Sequence, residues 1–257
     1  MLTENKHPNP AFAHALTPKP LSLSVVVPVF NESGNVAPLI GEIVAALRSR
    51  IDFEIIYIDD CSKDDTLLQL TNQKTSVPEL RVLTHLKQSG QSTALRSGIR
   101  GARGFWIATL DGDGQNNPAD IPKLLAAREN SPENTRMFAG WRVQRRDSWS
   151  KRAASTIANY VRSRLLRDAT PDTGCGLKLF ERAAYLELPY FDHMHRYLPA
   201  LMQRAGYRTL SVPVSHRART SGQSKYTNLG RLWVGLSDLR GVAWLIRRAK
   251  ITDVREA

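Results

Sequence analysis

Two carboxylates one residue apart, Asp111 and Asp113, follow directly on the apolar run Trp106-Ile107-Ala108-Thr109-Leu110. Such a run reads as a buried strand, which puts both acids just past its carboxyl end, the edge of an open α/β sheet where ligands bind. Hard oxygen ligands at this spacing suit a divalent cation, Mg2+ or Mn2+, that keeps waters and holds substrate phosphates, with Gln115 as a third oxygen. An acidic surface turn accounts for the same letters, since Asp and Gly are ordinary turn residues.

A second acidic pair, Asp59-Asp60, ends the strand-like run Glu54-Ile55-Ile56-Tyr57-Ile58. Capping explains what comes next: Ser62 and Asp65 have capping-box spacing before a helix starting near Thr66, and acids favour a helix N-terminus. That leaves Asp59 and Asp60, whose carboxylates can accept hydrogen bonds from a nucleotide's base or ribose. A third strand, Leu23–Phe30, runs into Asn31-Glu32-Ser33-Gly34-Asn35.

Four segments in this order, Val26–Glu32, Asp59–Asp64, Gly90–Leu95 and Asp111–Gln115, resemble the motifs of family 2 glycosyltransferases with the GT-A fold. With Asp172–Lys178 and Arg219–Tyr226, the resemblance covers roughly residues 22 to 228 and is nearest the dolichyl- and undecaprenyl-phosphate sugar synthase branch, the dolichol-phosphate mannosyltransferase-like enzymes. Four motifs in order are far more specific than one. The chain departs from the pattern at Cys61, where Gly is usual, and at Gly112 and Gly114, where Ala and Leu are common. The resemblance implies an inverting, metal-dependent transfer from a nucleotide sugar. It puts Pro28, Val29, Phe30, Asn31, Glu32, Asp59, Asp60, Gly90, Ala94, Asp111 and Gly112 at the donor. Arg142 matches the family's Gly-x-Arg, and Arg217 or Arg219 with Lys225 matches the basic loop near the phosphates. A solvated basic surface is the alternative for each cation.

The acceptor follows from what is missing. A hydroxyl nucleophile needs a base near its proton, and the acidic residue followed by Gln-x-x-Arg-Trp of hydroxyl-using relatives is absent. A polyprenyl phosphate oxygen is already anionic near neutral pH, its second pKa being about 6, so positioning and charge neutralisation suffice. Asp172 is the candidate base should one be needed; a loop-bonding role is its alternative. His193 and His195 cannot share an ion, because side chains at i and i+2 on a helix point about 200° apart; one of them, with Arg196 or Tyr197, is a candidate to face the acceptor phosphate. Uridine and guanosine donors both remain open, as do a hydroxyl of a surface polysaccharide or lipid as acceptor and a noncatalytic basic module on the same fold.

The elements that must position these residues alternate. Strands over 23–29, 54–58, 80–84, 106–110 and 136–140 interleave with helices over 36–48, 66–73, 91–102 and 119–129, the pattern of an α/β fold with a mostly parallel, Rossmann-like central sheet. A basic helix over 149–166, a strand over 177–180, helices over 182–187 and 195–205 and a strand over 208–214 follow. Residues 1–20 read as a flexible tail, 21–228 as the catalytic domain and 229–257 as an amphipathic segment. Gly98, Gly101 and Gly104 make no dinucleotide fingerprint and read as close packing and a helix end. With 42% hydrophobic residues in 257, one α/β core is affordable. The two cysteines form no metal motif and read as reduced thiols.

A net charge of +12 calls for an anionic partner. Nucleic acid is not favoured, because no recognition helix, zinc knuckle or aromatic RNA-binding motif is present. The cations concentrate after residue 140, which suits a lipid phosphate acceptor and an anionic membrane surface. Leu232, Trp233, Leu236, Leu239, Val242, Ala243 and Ile246 recur at helical spacing with Arg residues between. That stripe is either an interfacial helix or a face of the domain's own core. Nothing approaches about 18 uncharged apolar residues, so the expected place is the cytoplasmic membrane face, held peripherally or through a membrane-protein partner.

Overall fold

The computed structural model describes residues 21–143, 162–168, 170–217 and 228–250. The expected tail, most of the expected basic helix, and Arg219 and Lys225 lie outside the described residues. Seven strands, β1 (Leu23–Val29), β2 (Phe53–Asp59), β3 (Leu80–Thr84), β4 (Trp106–Thr109), β5 (Thr135–Arg142), β6 (Lys178–Glu181) and β7 (Arg208–Val214), form one sheet in the order β3-β2-β1-β4-β6-β5-β7. Helices α1 (Ser33–Leu47), α2 (Thr66–Lys74), α3 (Gln91–Gly101), α4 (Ile121–Glu129), α5 (Arg182–Leu186), α6 (Leu198–Arg204) and α7 (Asn228–Arg247) accompany it.

Every residue of β1 and β2 is buried, which is why both are mostly apolar and rich in Val or Ile: parallel strands are covered on both faces. Val25 and Val27 pack with Ile40 and Ile43 of α1 on one face, and Val26 with Ala94 and Ile99 of α3 on the other. Pro28 is tolerated in this central strand. Alternate residues of a parallel strand bond alternate neighbours, and the Asp60 N–H donates to Val29 O while Leu110 N–H donates to Val26 O. Pro28 therefore faces the β4 side, beyond β4's last paired residue, Thr109, where no donor is demanded.

One departure from the expected order is β6. It runs antiparallel between β4 and β5, so β5 does not pair with β4. β4 lies on one side of β1 and β2 on the other, and the crevice above the carboxyl ends of β1 and β4 is the switch point where open α/β sheets bind ligands.

Gly104, which follows α3, is a packing device. Gly104 donates its N–H to Ser24 Oγ at 2.8 Å, and a Cβ there would stand 2.5 Å from the backbone carbonyl carbon of Leu23. Backbone cannot swing aside as a side chain does, so Gly104→Ala is expected to cost about 1–3 kcal/mol, the usual penalty of overpacking. Urea unfolding checks this, and an unchanged midpoint would show that the β1 edge yields.

Of the stripe on α7, whose Leu232 and Trp233 lie outside the described side chains, Val242 and Ala243 are buried in the core, with Leu239 and Ile246, and the neighbouring Leu245, packed against it. Leu236 and Trp244, 40% and 53% exposed, are not. The helix thus serves the core with one face and keeps an apolar outer edge beside exposed Arg240 and Arg247. No helix among the described residues is long and apolar enough to cross a membrane.

Candidate active site

The crevice holds a cavity of about 490 Å3. β1's end supplies Pro28, Val29, Phe30 and Glu32, β2's end Asp60, the start of α3 Gly90 and Ala94, and β4's end Asp111, Gly112 and Asp113. These expected residues come together from four separate strand and helix ends. Gly112 has no room for a side chain, since a Cβ there would stand 3.0 Å from Pro28 O.

The turns after β1 and β2 are tied to each other. Asn31 N–H donates to Ser62 Oγ (2.9 Å), Lys63 N–H to Asn31 Oδ1 (2.7 Å) and Glu32 N–H to Thr66 Oγ1 (2.8 Å). Asn31 is spent on this latch and does not line the cavity. Nor does Asp59, whose oxygens accept from Ser62 N–H at 3.3 and 3.4 Å. Asp60 is on the wall, where its carboxylate also holds the loop before α3: Ser89 N–H (2.9 Å), Gly90 N–H (2.8 Å) and His85 Nδ1 (2.7 Å) all meet it. The capping box expected of Ser62 and Asp65 does not form; Asp64 Oδ1 accepts from Thr66 N–H at 3.0 Å, and Ser62 faces β1's turn. Cys61 adopts φ 63°, a left-handed conformation that Gly takes without strain, which is the physical sense of the Gly usual at this place in the motif.

Asp111 and Asp113 face the cavity as a like-charged pair. Burial, and next the charge of Asp113, push the Asp111 carboxyl above the usual carboxylate range, while Lys178, Arg142 and a 2.9 Å hydrogen bond from Gln91 Nε2 pull it back. Two partly desolvated acids in mutual repulsion are a donor set that a divalent cation would relieve, so the residues fit such an ion. Gln115, expected as the third oxygen, stands apart from the pair's cavity face. The turn at Gly114 (φ 74°) brings Gln115's backbone N–H to Asp113 Oδ1 (3.1 Å), and the residue is not on the cavity wall.

Arg142 and Asp172 stand behind that wall rather than on it. Arg142 Nε and Nη2 donate to the two Asp172 oxygens at 2.6 and 2.9 Å, a bidentate pair. Burial works against the guanidinium's charge, and the bonds to Asp172 outweigh it and raise its pKa. Gly174, on the wall, separates the pair from the cavity: a Cβ there would stand 3.3 Å from Arg142 Nη2. Both Asp172 oxygens are engaged by the one guanidinium, so Asp172 anchors Arg142. Arg217 is not brought to the cavity. The Asn116–His216 bridge lays residues 215–217 beside 115–117, and Arg217 pairs with Glu42 of α1 at 2.8 Å and with Asn117.

Three cavity residues were weakly signalled or unsignalled in the sequence. Lys178 begins β6, is buried, donates to Cys175 O, and has its pKa lowered by burial. It was visible only as the last letter of Asp172–Lys178. His195 and Arg196 line the cavity from a short turn, whereas His193 turns to Asp238 of α7 at 3.1 Å. His195 Nδ1 meets Ser92 Oγ at 2.7 Å, and burial, then the Arg196 charge, push its pKa down to about 3.

The native ring stays neutral while the unfolded ring, with a pKa near 6.5, takes a proton. Stability is therefore lost as pH falls from about 6.5 toward about 3. His195→Asn is expected to flatten this slope by up to about 1.4 kcal/mol per pH unit, measured by urea unfolding at pH 4 and pH 6; an unaltered slope would mean that His195 titrates normally.

Residues 24–188 match the family described as glycosyl transferase family 2. The chain belongs to that family. It is 35% identical over 235 residues to a dodecaprenyl-phosphate galacturonate synthase of Rhizobium johnstonii, covering 88% of this chain and 68% of that protein. It is 30% identical over 207 residues to an undecaprenyl-phosphate 4-deoxy-4-formamido-L-arabinose transferase of Edwardsiella ictaluri, covering 79% of this chain and 62% of that one. The chain thus spans about two thirds of these relatives' length. The fold is that of GT-A glycosyltransferases. Glucosyl-3-phosphoglycerate synthase from Mycobacterium tuberculosis, solved with Mn2+, UDP and glucosyl-3-phosphoglycerate, superposes with a TM-score of 0.65 at 18% identity, over 91% of this chain and 81% of that one. A mannosyltransferase from Pyrobaculum calidifontis, solved with GDP-Man and Mn2+, gives the same TM-score and identity over 91% and 66%.

Proposed function

We propose that this glycosyltransferase moves a sugar, with inversion, from a UDP- or GDP-linked donor to a polyprenyl phosphate. The observation that carries the reading is the cavity itself: a carboxylate pair, Asp111 and Asp113, shares its wall with two cations, Lys178 and Arg196. Asp172 is held by Arg142, and His195, with a pKa near 3, is too weak a base to take a hydroxyl's proton at neutral pH. A phosphate acceptor needs none, being already anionic. The polyprenyl-phosphate transfer named for the two curated relatives supports the same acceptor.

Asp111 and Asp113 would hold a divalent cation, which when bound supplies charge neutralisation for the departing nucleoside diphosphate. The chain's own residues do the rest. Lys178 and Arg196 draw two anionic phosphates into one cavity, and Asp60 fixes the Gly90 loop over the donor side. The Arg142–Asp172 pair sets the floor on which Gly174 allows close approach. Arg219 and Lys225 complete the phosphate contacts in this reading. The basic surface and the outer edge of α7, with Leu236 and Trp244, hold the enzyme against the anionic cytoplasmic face of the membrane.

Incubation with a panel of labelled UDP- and GDP-sugars and undecaprenyl phosphate tests this directly. One donor is expected to yield a labelled, acid-labile polyprenyl-phosphate sugar. Transfer only to hydroxyl acceptors, or none with any donor, would sink it.

A further inference from the structure

A second cavity, of about 370 Å3, lies between α3 and α5, within the size range of sites for small ligands. Arg96 and Arg100 of α3 line it, and at 100° per residue they fall about 180° round the helix from Gln91, Ala94 and Leu95, which face the transfer cavity. The turn Met194–Arg196 is the shared partition, with Met194 toward this cavity and His195 and Arg196 toward the other.

A third cation, Arg182, converges from α5. Its Nε and Nη2 donate to Ile99 O and Arg100 O at 2.9 and 3.0 Å, which fixes it against the last turn of α3. The Arg96 guanidinium sits 4.0 Å from the centre of the Tyr190 ring, and Tyr190's hydroxyl is held 2.8 Å from Thr93 Oγ1. Among the described residues, none of the three arginines forms an ion pair with a carboxylate, although Arg48, Arg81, Arg136, Arg142, Arg162 and Arg217 all do. Three guanidiniums around one cavity, those of Arg96 and Arg182 held in place, repel each other and suit a phosphate, to which their planar forks donate in pairs. The rim is apolar: Leu186 and Tyr190 are 40% and 37% exposed there. A cationic pocket with an apolar lip fits an amphiphile better than a free ion.

We infer that this cavity binds the phosphate of an anionic lipid headgroup, a second phosphate site one helix away from the transfer cavity. It extends the membrane reading above to a defined pocket and takes no part in the sugar transfer. Binding of the intact protein to phosphatidylglycerol vesicles, in the absence of donor, tests it, with phosphatidylcholine vesicles and soluble glycerol phosphate as the other arms. Arg96→Gln with Arg100→Gln is expected to lower affinity for anionic vesicles about thirtyfold, at roughly 1 kcal/mol for each juxtamembrane cation. Arg96→Lys with Arg100→Lys, which keeps the charge but loses the planar forks, is expected to recover only part of it, and both variants should melt with the parent and transfer to a short-chain soluble acceptor at the parental rate. Unchanged vesicle binding in the glutamine variant overturns the assignment. So does a loss confined to glycerol phosphate, which would make the ligand a free phosphate ester. Because vesicle binding is read without turnover, failure here leaves the transfer reading standing, and a protein that binds vesicles but transfers no sugar leaves this one standing.

Discussion

Asp113→Ala is expected to abolish turnover, a loss of more than about a thousandfold, the scale seen when charge stabilisation is removed from a transition state. The variant should keep its fold. Asp113 Oδ1 accepts from Gln115 N–H within a local turn, and removing its charge relieves Asp111 of a like-charged neighbour. Parental enzyme should require Mg2+ or Mn2+ and stop in excess chelator, with activity restored by either ion. Asp111→Ala should match it in rate while also freeing Gln91, whose amide bonds Asp111. Full activity in chelator, or a parental rate for Asp113→Ala, would remove the carboxylate pair from the reaction.

Arg142→Ala should act on stability and rate together. The Arg142–Asp172 pair is nearly dry, with side chains 13% and 5% exposed, and cutting one member of such a pair typically costs about 3–5 kcal/mol because the other charge stays buried. Asp172→Ala should cost a similar amount. Replacing both, as Arg142→Met with Asp172→Leu, should restore much of the stability without restoring turnover, since Gly174 then faces an apolar floor where the phosphates need a cation. Arg142→Lys should rescue stability only in part, a lysine lacking the two-pronged grip. Urea unfolding and initial rates on the same four proteins separate the two effects. A stability change below about 1 kcal/mol for Arg142→Ala would class the pair with solvent-exposed bridges, and a double variant with parental rates would leave it a purely structural role.

Periodicity and strand-end placement made much of the molecule legible in its letters. The Val/Ile runs of β1 and β2 had to be covered on both faces, and the acids after β2 and β4 had to fall at the sheet's carboxyl edge, because a strand delivers its next residue there whatever the rest of the chain does. What needed the tertiary structure were partners distant in sequence. β6 lies between β4 and β5, although neighbouring strands in an α/β chain usually pair in order, and that insertion carries Lys178 into the cavity, where a lone lysine had no pattern to mark it. Arg217 and Arg142 look alike as letters beside a phosphate loop, yet one is captured by Glu42 and the other by Asp172, since a guanidinium goes to whichever carboxylate the fold brings within reach. Gln115 followed the acids in sequence, but a turn at Gly114 spent its backbone on Asp113 and took its side chain off the wall. Arg96, Arg100 and Arg182 are more than eighty residues apart at their extremes and meet only because α3 and α5 pack side by side. Local physics decides where a side chain stands along its own element; which charge it then meets is a property of the folded whole.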